Sequence, residues 1–447
     1  MVRFAVYFCV AVAGRLLRHR KTGFAYVWKM DMLVKGITLW ILQCIVVVAV
    51  VLAAAGVPWA ADEITLDQAL SDFYQRNYDI LINKYEIDKA QADYIGARLL
   101  PNPNLSFNFT FISLQNFPQL TDNSQTVTRL DQLIELGGKR ALRSGVALEG
   151  VEASKLTQKD TVRTLLIGFY TVFFSINTDI LNVDTARDEL KRFDRILQIG
   201  QKRFNSGFLS LVDFTKLSLS RIDLENTLTA AESQMKDDIE QFSFLLGIVN
   251  PIKPTLHITE EFTEYTENAL LERANQYRFD LLSIERQIKA SEYAKSLAAA
   301  MAIPDVTLGV ELDTLGQGNP PSIGFGFSIP VPLFNRNQGE IARRHAEHDQ
   351  LLIQRDKLKR QVVSDIRHAL NSYVTSRAVF DSYRTRKNEM QELMSKTEKA
   401  FSLGGITMLD LLDTEKQYRD FMTKYNQSLV QTNLTRELIK LYTGEIK

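Results

Sequence analysis

The sequence predicts a mainly α-helical chain with a small β part, organised as an internal two-fold repeat. Three observations predict this class: similar strings recur about 200 residues apart, two long stretches contain no proline, and four short segments alternate between apolar and polar residues. A unit of this size is too long for a solenoid repeat, so the recurrence indicates two copies of one larger module. The recurring strings lie at 66–70 and 78–81 in the first half and at 267–270 and 279–282 in the second.

The first 60 residues differ from the rest and are predicted to be an upstream extension followed by a secretory signal. Lys29 and Lys35 precede an apolar run over 36–55, and small residues follow as far as Ala60. A basic stretch, an apolar core and a small-residue end are the three parts of a cleavable signal. A transmembrane anchor is the alternative that the length permits, but the small residues favour cleavage near Ala60.

The composition excludes several classes of protein. The 447 residues carry 53 basic and 53 acidic side chains, so no excess of positive charge points to a nucleic acid partner. Both cysteines, Cys9 and Cys44, fall in the removable part, which predicts a mature chain without disulfides. Motifs for a catalytic nucleophile are absent from the sequence, and we expect neither an enzyme nor a bound cofactor.

One pair of histidines raises the question of a metal site. His345 and His348 stand at positions i and i+3 of a predicted helix, so they share a face and could bind one metal ion. Arg343 and Arg344 directly precede them and would repel a cation, and two histidines beside carboxylates are more often part of a solvated helix face. We therefore predict no metal site.

The two proline-free stretches are where long helices are expected, because an interior proline costs a helix about 3 kcal/mol. The first predicted helix covers 139–203, roughly 65 residues or on the order of 100 Å. Six apolar residues at a seven-residue spacing indicate coiled-coil packing, since an ordinary amphipathic bundle helix rarely runs so long. These residues are Val162, Phe169, Ile176, Val183, Leu190 and Leu197, and Ile366, Tyr373 and Phe380 continue the pattern in the second half.

The four alternating segments, at about 105–111, 126–134, 306–313 and 322–329, have the length and pattern of membrane-barrel strands. A soluble sandwich would also alternate but needs more than four strands. The residues predicted to face lipid are Phe107, Phe109, Val310, Phe325 and Phe327, and those predicted to face the lumen are Asn108, Thr110, Glu311 and Ser328.

Four strands cannot close a barrel, and an open sheet edge is not tolerated in lipid. The smallest membrane barrels have about 8 strands. The chain is therefore expected to oligomerise, and three copies would supply twelve strands.

Taken together, these features resemble the TolC family of outer-membrane efflux channels, over the chain from about Ile64 to Gly444. Strings at 134–140 and 329–339, one after each predicted hairpin, are similar to the CzcC-type branch that serves heavy-metal RND pumps. Each string is predicted to break a strand where it leaves the membrane and to place basic residues at the polar interface. The residues of these strand-to-helix joints are Gly137, Gly138, Lys139, Arg140, Pro330, Pro332 and Arg336.

The resemblance implies a homotrimer with a twelve-stranded β-barrel in the outer membrane, continued by a long α-helical barrel across the periplasm. It implies docking to a periplasmic adaptor (membrane fusion) protein and an inner-membrane RND pump, with passive export of heavy-metal cations. The expected parts are an extension with signal over 1–60, a first outer-membrane efflux repeat over 61–250 (helix, β-hairpin, two long helices), a linker over 251–265, and a second repeat over 266–447.

Two other functions remain open at this stage. The same fold could serve drug efflux or type I protein secretion, because only the two strings at the joints favour metal ions. A secreted coiled-coil structural protein would explain the helices and the signal. It would not explain the duplication or the paired strands.

The periplasmic mouth of the tunnel is predicted at two tips, over 204–213 and 401–413. Asp410 and Asp413 lie one turn apart on a helix face, and they match the Asp-x-x-Asp pattern of the family's periplasmic entrance. Three-fold symmetry would gather six such carboxylates, which would favour cations. Solvated tip aspartates are the alternative. The predicted gate and tip residues are Asp410, Asp413 and Asp213, with Phe204, Gly207, Phe401, Gly404, Ile406 and Met408.

The tips also depart from the family prototype, which locks its closed state with a tyrosine and an arginine. This chain has Phe401 and Ile406 at those positions. Asp213 therefore lacks its expected arginine partner, and we expect apolar contacts from Phe401, Ile406 and Met408 to contribute to closure.

Overall fold

The computed structural model describes residues 62–111, 124–315 and 320–446, so the predicted extension and signal lie outside the described residues. The first half contains β1 (Asp62–Ile64), α1 (Leu66–Arg76), α2 (Tyr78–Arg98), β2 (Asn104–Phe111), β3 (Ser124–Ile134), α3 (Lys139–Asn205) and α4 (Leu211–Leu245). After β4 (Ile252–Pro254), the second half contains α5 (Glu267–Tyr277), α6 (Phe279–Ala300), β5 (Val306–Leu315), β6 (Ser322–Ser328), α7 (Gln338–Leu403) and α8 (Met408–Tyr442).

Both halves follow the same order of two shorter helices, a β-hairpin and two long helices. The long helices match closely in length: α3 has 67 residues and α7 has 66, while α4 and α8 have 35 each. At about 1.5 Å per residue, α3 is about 100 Å long. The mainly helical fold with a small sheet is confirmed.

A glycine after the second long helix of each half packs against the end of that half's first short helix. Gly247 has φ 68°, and a Cβ there would lie 2.5 Å from the Arg76 carbonyl oxygen. Gly444 has φ 90°, and a Cβ there would lie 2.6 Å from the Tyr277 carbonyl oxygen. Both positions need glycine for the left-handed backbone and for the close approach. The two halves therefore each have a glycine at the equivalent corner, where the chain leaves the second long helix and packs against the end of the first short helix.

The largest core lies where α3 packs against α1 and α4. The Phe169 ring of α3 is 5.0 Å from the Phe73 ring of α1 and 5.6 Å from the Phe242 ring of α4, measured between ring centroids. Of the described helices, α3 alone is long and apolar enough to cross a membrane by length and composition. Its apolar residues fill this core, which accounts for the composition without a lipid environment.

The sheet is antiparallel and has the strand order β2-β3-β5-β6. Each half supplies one hairpin, and the pairing of β3 with β5 joins the hairpins side by side. Arg129 pairs with Glu311 in this register, and Leu130 pairs with Val310. A separate two-stranded parallel sheet, β1 with β4, ties the start of the described chain to the segment between the halves.

Candidate functional site

The four-stranded sheet separates its side chains into an apolar face and a polar face. Paired residues of neighbouring strands lie on the same side of a sheet, so the register assigns every residue to a face. The apolar face carries Leu105, Phe107, Phe109, Leu130, Leu308, Val310, Leu312, Ile323, Phe325 and Phe327. The polar face carries Ser106, Asn108, Thr110, Arg129, Asp131, Glu311, Asp313, Ser322 and Ser328.

The five residues predicted to face lipid share the apolar face, and the four predicted to face the lumen share the polar face. The side chains of Phe325 and Phe327 are 84% and 74% exposed in the single chain. Aromatic side chains at that level of exposure need a cover that residues 62–111, 124–315 and 320–446 do not provide. That the cover is lipid stays a prediction.

The charged groups of the four strands form a network on the polar face. The Arg129 Nε donates to both carboxylate oxygens of Asp131, at 2.8 and 3.0 Å, and Arg129 Nη1 lies 3.6 Å from Glu311 Oε2. Glycines leave room for these side chains. A Cβ at Gly309 would overlap the Asp131 carboxylate, and one at Gly324 would lie 2.8 Å from Glu311 Oε1. The charged side chains can therefore lie flat across the sheet.

The first joint between strand and helix depends on a buried lysine. Gly137 and Gly138 both have φ 70°, which turns the chain sharply before α3. Lys139 is only 3% exposed, and its Nζ donates to the Ile303 carbonyl at 2.6 Å and to Asp305 Oδ1 at 2.7 Å. Lys139 is therefore buried and ties the two halves together, contrary to the expected position at a polar interface.

Other basic residues of the joints are exposed as expected, including Arg140 and Arg336. At the second joint Asn337 has φ 60°, and its Nδ2 donates to the Ala298 carbonyl at 2.8 Å. Pro330 and Pro332 precede this turn, in a segment without strand or helix. Proline cannot donate to a strand ladder, which explains why β6 ends at Ser328.

At the first tip, Asp213 is engaged at the start of α4. The Ser210 hydroxyl caps the helix by accepting from Asp213 N–H at 3.1 Å and donates to Asp213 Oδ2 at 2.8 Å. Gly207 makes the turn with φ 78°, and the Phe204 ring stacks on the Phe214 ring at 5.2 Å between centroids. Asp213 is therefore held by the serine that caps its own helix.

At the second tip, Asp410 is part of a capping box. The Thr407 hydroxyl donates to Asp410 Oδ2 at 2.7 Å and accepts from Asp410 N–H at 3.2 Å. A carboxylate in the first turn of a helix is also favoured by the helix dipole. Asp413 accepts from Gln417 Nε2 at 2.7 Å, and both aspartates are exposed on α8. Asp410 therefore has a local structural function besides its predicted function at the gate.

The two tips are joined within one chain by Arg203, a residue that the sequence reasoning missed. The Arg203 Nη1 donates to the Phe401 carbonyl at 2.6 Å, and the guanidinium lies 4.8 Å from the Phe401 ring centroid. The contact satisfies a carbonyl in the last turn of α7 and places a cation over an aromatic face. The signal available in the sequence was a basic residue in the last turn before the Gly207 break.

Phe401 and Met408 are buried in the chain's own tip core and do not present apolar surface to a neighbouring chain. Phe401 is 0% exposed and Met408 is 5% exposed. Ile406 is partly buried against the same cluster. Their apolar contacts within this chain are therefore made inside its own tip core, and their contribution to closure of the mouth stays a prediction. The tip core consists of Phe193, Ile196, Leu217, Leu224, Met394, Phe401, Met408, Leu411 and Tyr418.

The histidine pair lies on a surface crowded with ion pairs. His348 Nδ1 is 2.8 Å from the Ser291 hydroxyl, and Arg344 contacts Glu340 and Glu347 at 2.8 and 2.9 Å. Over the described ranges, no group of three or more histidine, cysteine or acidic side chains has a geometry that could hold a metal ion.

Two long stretches of the chain, residues 69–248 and 270–444, match the family described as outer membrane efflux protein. The chain belongs to this family. Each matched stretch contains one series of two shorter helices, a hairpin and two long helices. This outer membrane efflux protein is therefore a channel protein of the TolC family, not an enzyme, and its place is the outer membrane with an extension into the periplasm.

Individual relatives of this outer membrane efflux protein agree with the family. It is 26% identical over 397 residues to the cobalt-zinc-cadmium resistance protein CzcC of Cupriavidus metallidurans, covering 83% of this chain and 88% of CzcC. It is 24% identical over 421 residues to the pyoverdine export outer membrane protein OpmQ of Pseudomonas putida, covering 84% of each. The fold resembles crystal structures of CusC with a TM-score of 0.72, at 13% identity, over 85% of this chain and 92% of that one.

Proposed function

We propose that three copies of this chain form a passive export duct for heavy-metal cations. The duct would consist of a twelve-stranded barrel, with the apolar face toward lipid, and a long helical barrel in the periplasm. The observation that carries this proposal is a sheet with one apolar face, one polar face and two unpaired edges. In the described part of the chain, β2 and β6 each have one partner strand, and lipid does not tolerate such edges.

The polar face supports cations as the cargo. It carries three carboxylates, on Asp131, Glu311 and Asp313, against one guanidinium on Arg129, which is a net charge of −2 per chain. The opposite face carries no ionisable side chain among the described strand residues. With the polar face inward, a trimer would have a negatively charged lumen, and such a field concentrates cations.

The periplasmic end supports the same cargo. Asp410 and Asp413 are exposed near the second tip, and three-fold symmetry would bring six carboxylates around one axis. Substrate would enter here from a periplasmic adaptor protein and an inner-membrane RND pump, which supplies the energy. The duct itself needs none.

The relatives favour metal ions without deciding the substrate. CzcC is by its name a cobalt-zinc-cadmium resistance protein, whereas OpmQ exports pyoverdine. Export of pyoverdine is therefore the second candidate, and it is favoured by the similar coverage of OpmQ. A secreted coiled-coil structural protein is excluded, because the chain belongs to a channel family.

The test combines assembly with transport. The detergent-extracted protein should have the mass of a trimer and should form cation-selective pores in planar bilayers. Co-expression with a metal pump and its adaptor in a strain lacking its own outer-membrane channel should restore growth on zinc, cobalt or cadmium. Restored pyoverdine export without metal resistance would instead support the second candidate, and a stable monomer without pores would contradict the duct.

A further inference from the structure

Near the second tip, charged side chains are buried between α3, α7 and α8. Glu189 of α3 is 1% exposed and Glu415 of α8 is 2% exposed. The side chains of Arg192 on α3 and Glu398 on α7 are 17% and 25% exposed. Glu398 lies five residues before the end of α7 and Glu415 seven residues after the start of α8. At about 1.5 Å per residue, both are about 8–11 Å from the tip.

Among the described residues, one cation, Arg192, is in ion-pair contact with these carboxyl groups, and it is shared between Glu398 and Glu415. Arg192 Nε lies 3.5 Å from Glu398 Oε1 and 3.8 Å from Glu415 Oε1, and the guanidinium stacks 4.4 Å from the Tyr418 ring centroid. Among the described residues, Glu189 Oε1, both Glu415 oxygens and Arg192 Nε have no hydrogen-bond partner. Burying a carboxylate without a full set of hydrogen-bond partners costs free energy, and this cost favours the protonated form.

Charged side chains on α3, α7 and α8 shift the pKa values of Glu189 and Glu415. Burial raises the pKa of Glu189 to about 7, and the charge of Glu415 raises it as well. Arg419 and Arg192 oppose this increase, while Asp420 adds to it.

Burial also raises the pKa of Glu415. Arg192 and Arg419 oppose the shift, and Glu398 of α7 adds to it. Glu398 in turn faces Arg192 and Arg195. With both glutamates pushed toward the protonated form, they cannot both be ionised at low cost at neutral pH.

We propose that Glu189 and Glu415 form a proton-binding pair that couples α3 to α8. Because α3 belongs to the first pair of long helices and α8 to the second, the proton holds the two helical hairpins together just above the tips. Loss of the proton leaves negative charges on both Glu189 and Glu415 across the α3–α8 contact, which Arg192 and Arg419 offset only in part. Their repulsion pushes the hairpins apart.

The direction of the pH dependence follows from the raised pKa. The pKa of Glu189 is higher when the helices are packed than when they are apart. Such a carboxyl group stabilises the packed state fully at pH values below the ordinary glutamate pKa of 4.5. This stabilisation is lost as the pH rises to about 7, and it stays lost at higher pH. The α3–α8 contact should therefore be tight at pH 5 and loose at pH 8.

Hydrogen exchange of the full-length protein in detergent tests this coupling. Peptides covering 183–197 and 411–421 should open at least tenfold more often at pH 8 than at pH 5, after correction for the intrinsic exchange rate. Glu189→Gln should reduce the difference in opening rate between pH 5 and pH 8, because glutamine mimics the protonated group and only Glu415 is left to ionise. Glu415→Gln should shift the transition to lower pH. Asp188→Asn is the matched control, because the Asp188 side chain is 78% exposed on the same helix, and it should behave like the unmodified protein.

An infrared titration of the unmodified protein gives an independent measurement should a glutamine variant fail to fold. Burial also raises the pKa of Asp179 to about 7, so the titration uses protein with isotope-labelled glutamate. Labelled carboxyl groups that stay protonated at pH 6 and ionise by pH 8 would support the proposal. Complete ionisation of all carboxyl groups by pH 5.5, or opening rates that differ less than twofold between pH 5 and pH 8, would overturn it. The coupling does not depend on the proposed cargo, so failed metal transport would leave it standing.

Discussion

At the scale of single residues, Arg203 is the side chain that joins the two tips of one chain. Its guanidinium reaches from the last turn of α3 to the carbonyl at the end of α7 and covers the Phe401 ring. Phe401 fills the tip core at the same time. The two helical hairpins are therefore connected within the chain at their ends, and this contact does not require a neighbouring chain.

Replacing Arg203 by alanine should release the tips. The variant loses a charge-assisted hydrogen bond, roughly 1.5–3 kcal/mol, together with the cation–π contact. Limited proteolysis should cut at 206–210 and 404–407 faster than in the unmodified protein, with the trimer mass unchanged. Lys202→Ala is the control, since Lys202 is exposed in the same turn. Equal cleavage of both variants would show that Arg203 does not hold the tips.

The residues near the tips show which features could be predicted from the sequence and which contacts could not. The positions of the breaks were visible, because Gly207 and Gly404 interrupt long proline-free helices. The partners were not visible, because Arg203 meets Phe401 across 198 positions of the chain. The structure shows that Phe401, Met408 and Lys139 are buried. The sequence alone does not show whether an apolar or basic side chain packs in the core of its own chain or against a neighbouring chain.

At the scale of elements, the lengths and order of the helices and strands could be predicted from periodicity and proline placement. A spacing of seven predicted α3, and a spacing of two predicted all four strands, because these periods follow from backbone geometry. The pairing of β3 with β5 could not be predicted in this way. That contact joins the halves in a sheet through residues more than 170 positions apart.

The corners closed by Gly247 and Gly444 should be sensitive to any side chain. Alanine at either position meets a backbone carbonyl and a left-handed φ, so each variant should lose roughly 1–3 kcal/mol of stability. Urea unfolding of the detergent-solubilised protein would measure the loss. The control is Gly168→Ala in the exposed interior of α3, where a Cβ meets nothing within 4 Å. It should stabilise by about 0.5–1 kcal/mol. Equal responses at all three sites would contradict this explanation of the corners.

At the scale of the whole molecule, the two ends of the proposed duct carry the same sign of charge. The polar face of the sheet has a net charge of −2 per chain, and Asp410 and Asp413 are exposed at the opposite end of the long helices. A cation would meet attractive fields on entering and on leaving, and this arrangement fits a duct better than a binding protein. Assembly into a closed barrel stays a prediction from the strand count, because four strands cannot close a barrel.

The charges at the mouth can be tested without breaking the helix cap. Asp410→Asn with Asp413→Asn removes both charges but keeps oxygen acceptors for Thr407 and Gln417. Block of the pore by multivalent cations in planar bilayers should weaken at least tenfold, with cation selectivity reduced and the trimer intact. Asp223→Asn, an exposed change on α4, should leave both properties unchanged. Undiminished block in the double variant would rule out Asp410 and Asp413 as the gate carboxylates.

The central claim is that the four strands form one third of a membrane barrel with the polar face inward. Both cysteines lie within residues 1–60, so single cysteines can be placed along β2 and labelled in intact outer membranes. We predict that a small water-soluble thiol reagent modifies cysteines at positions 106, 108 and 110, but not at 107 and 109. A lipid-soluble reagent should show the reverse pattern. Equal labelling at all five positions by the water-soluble reagent would contradict the barrel.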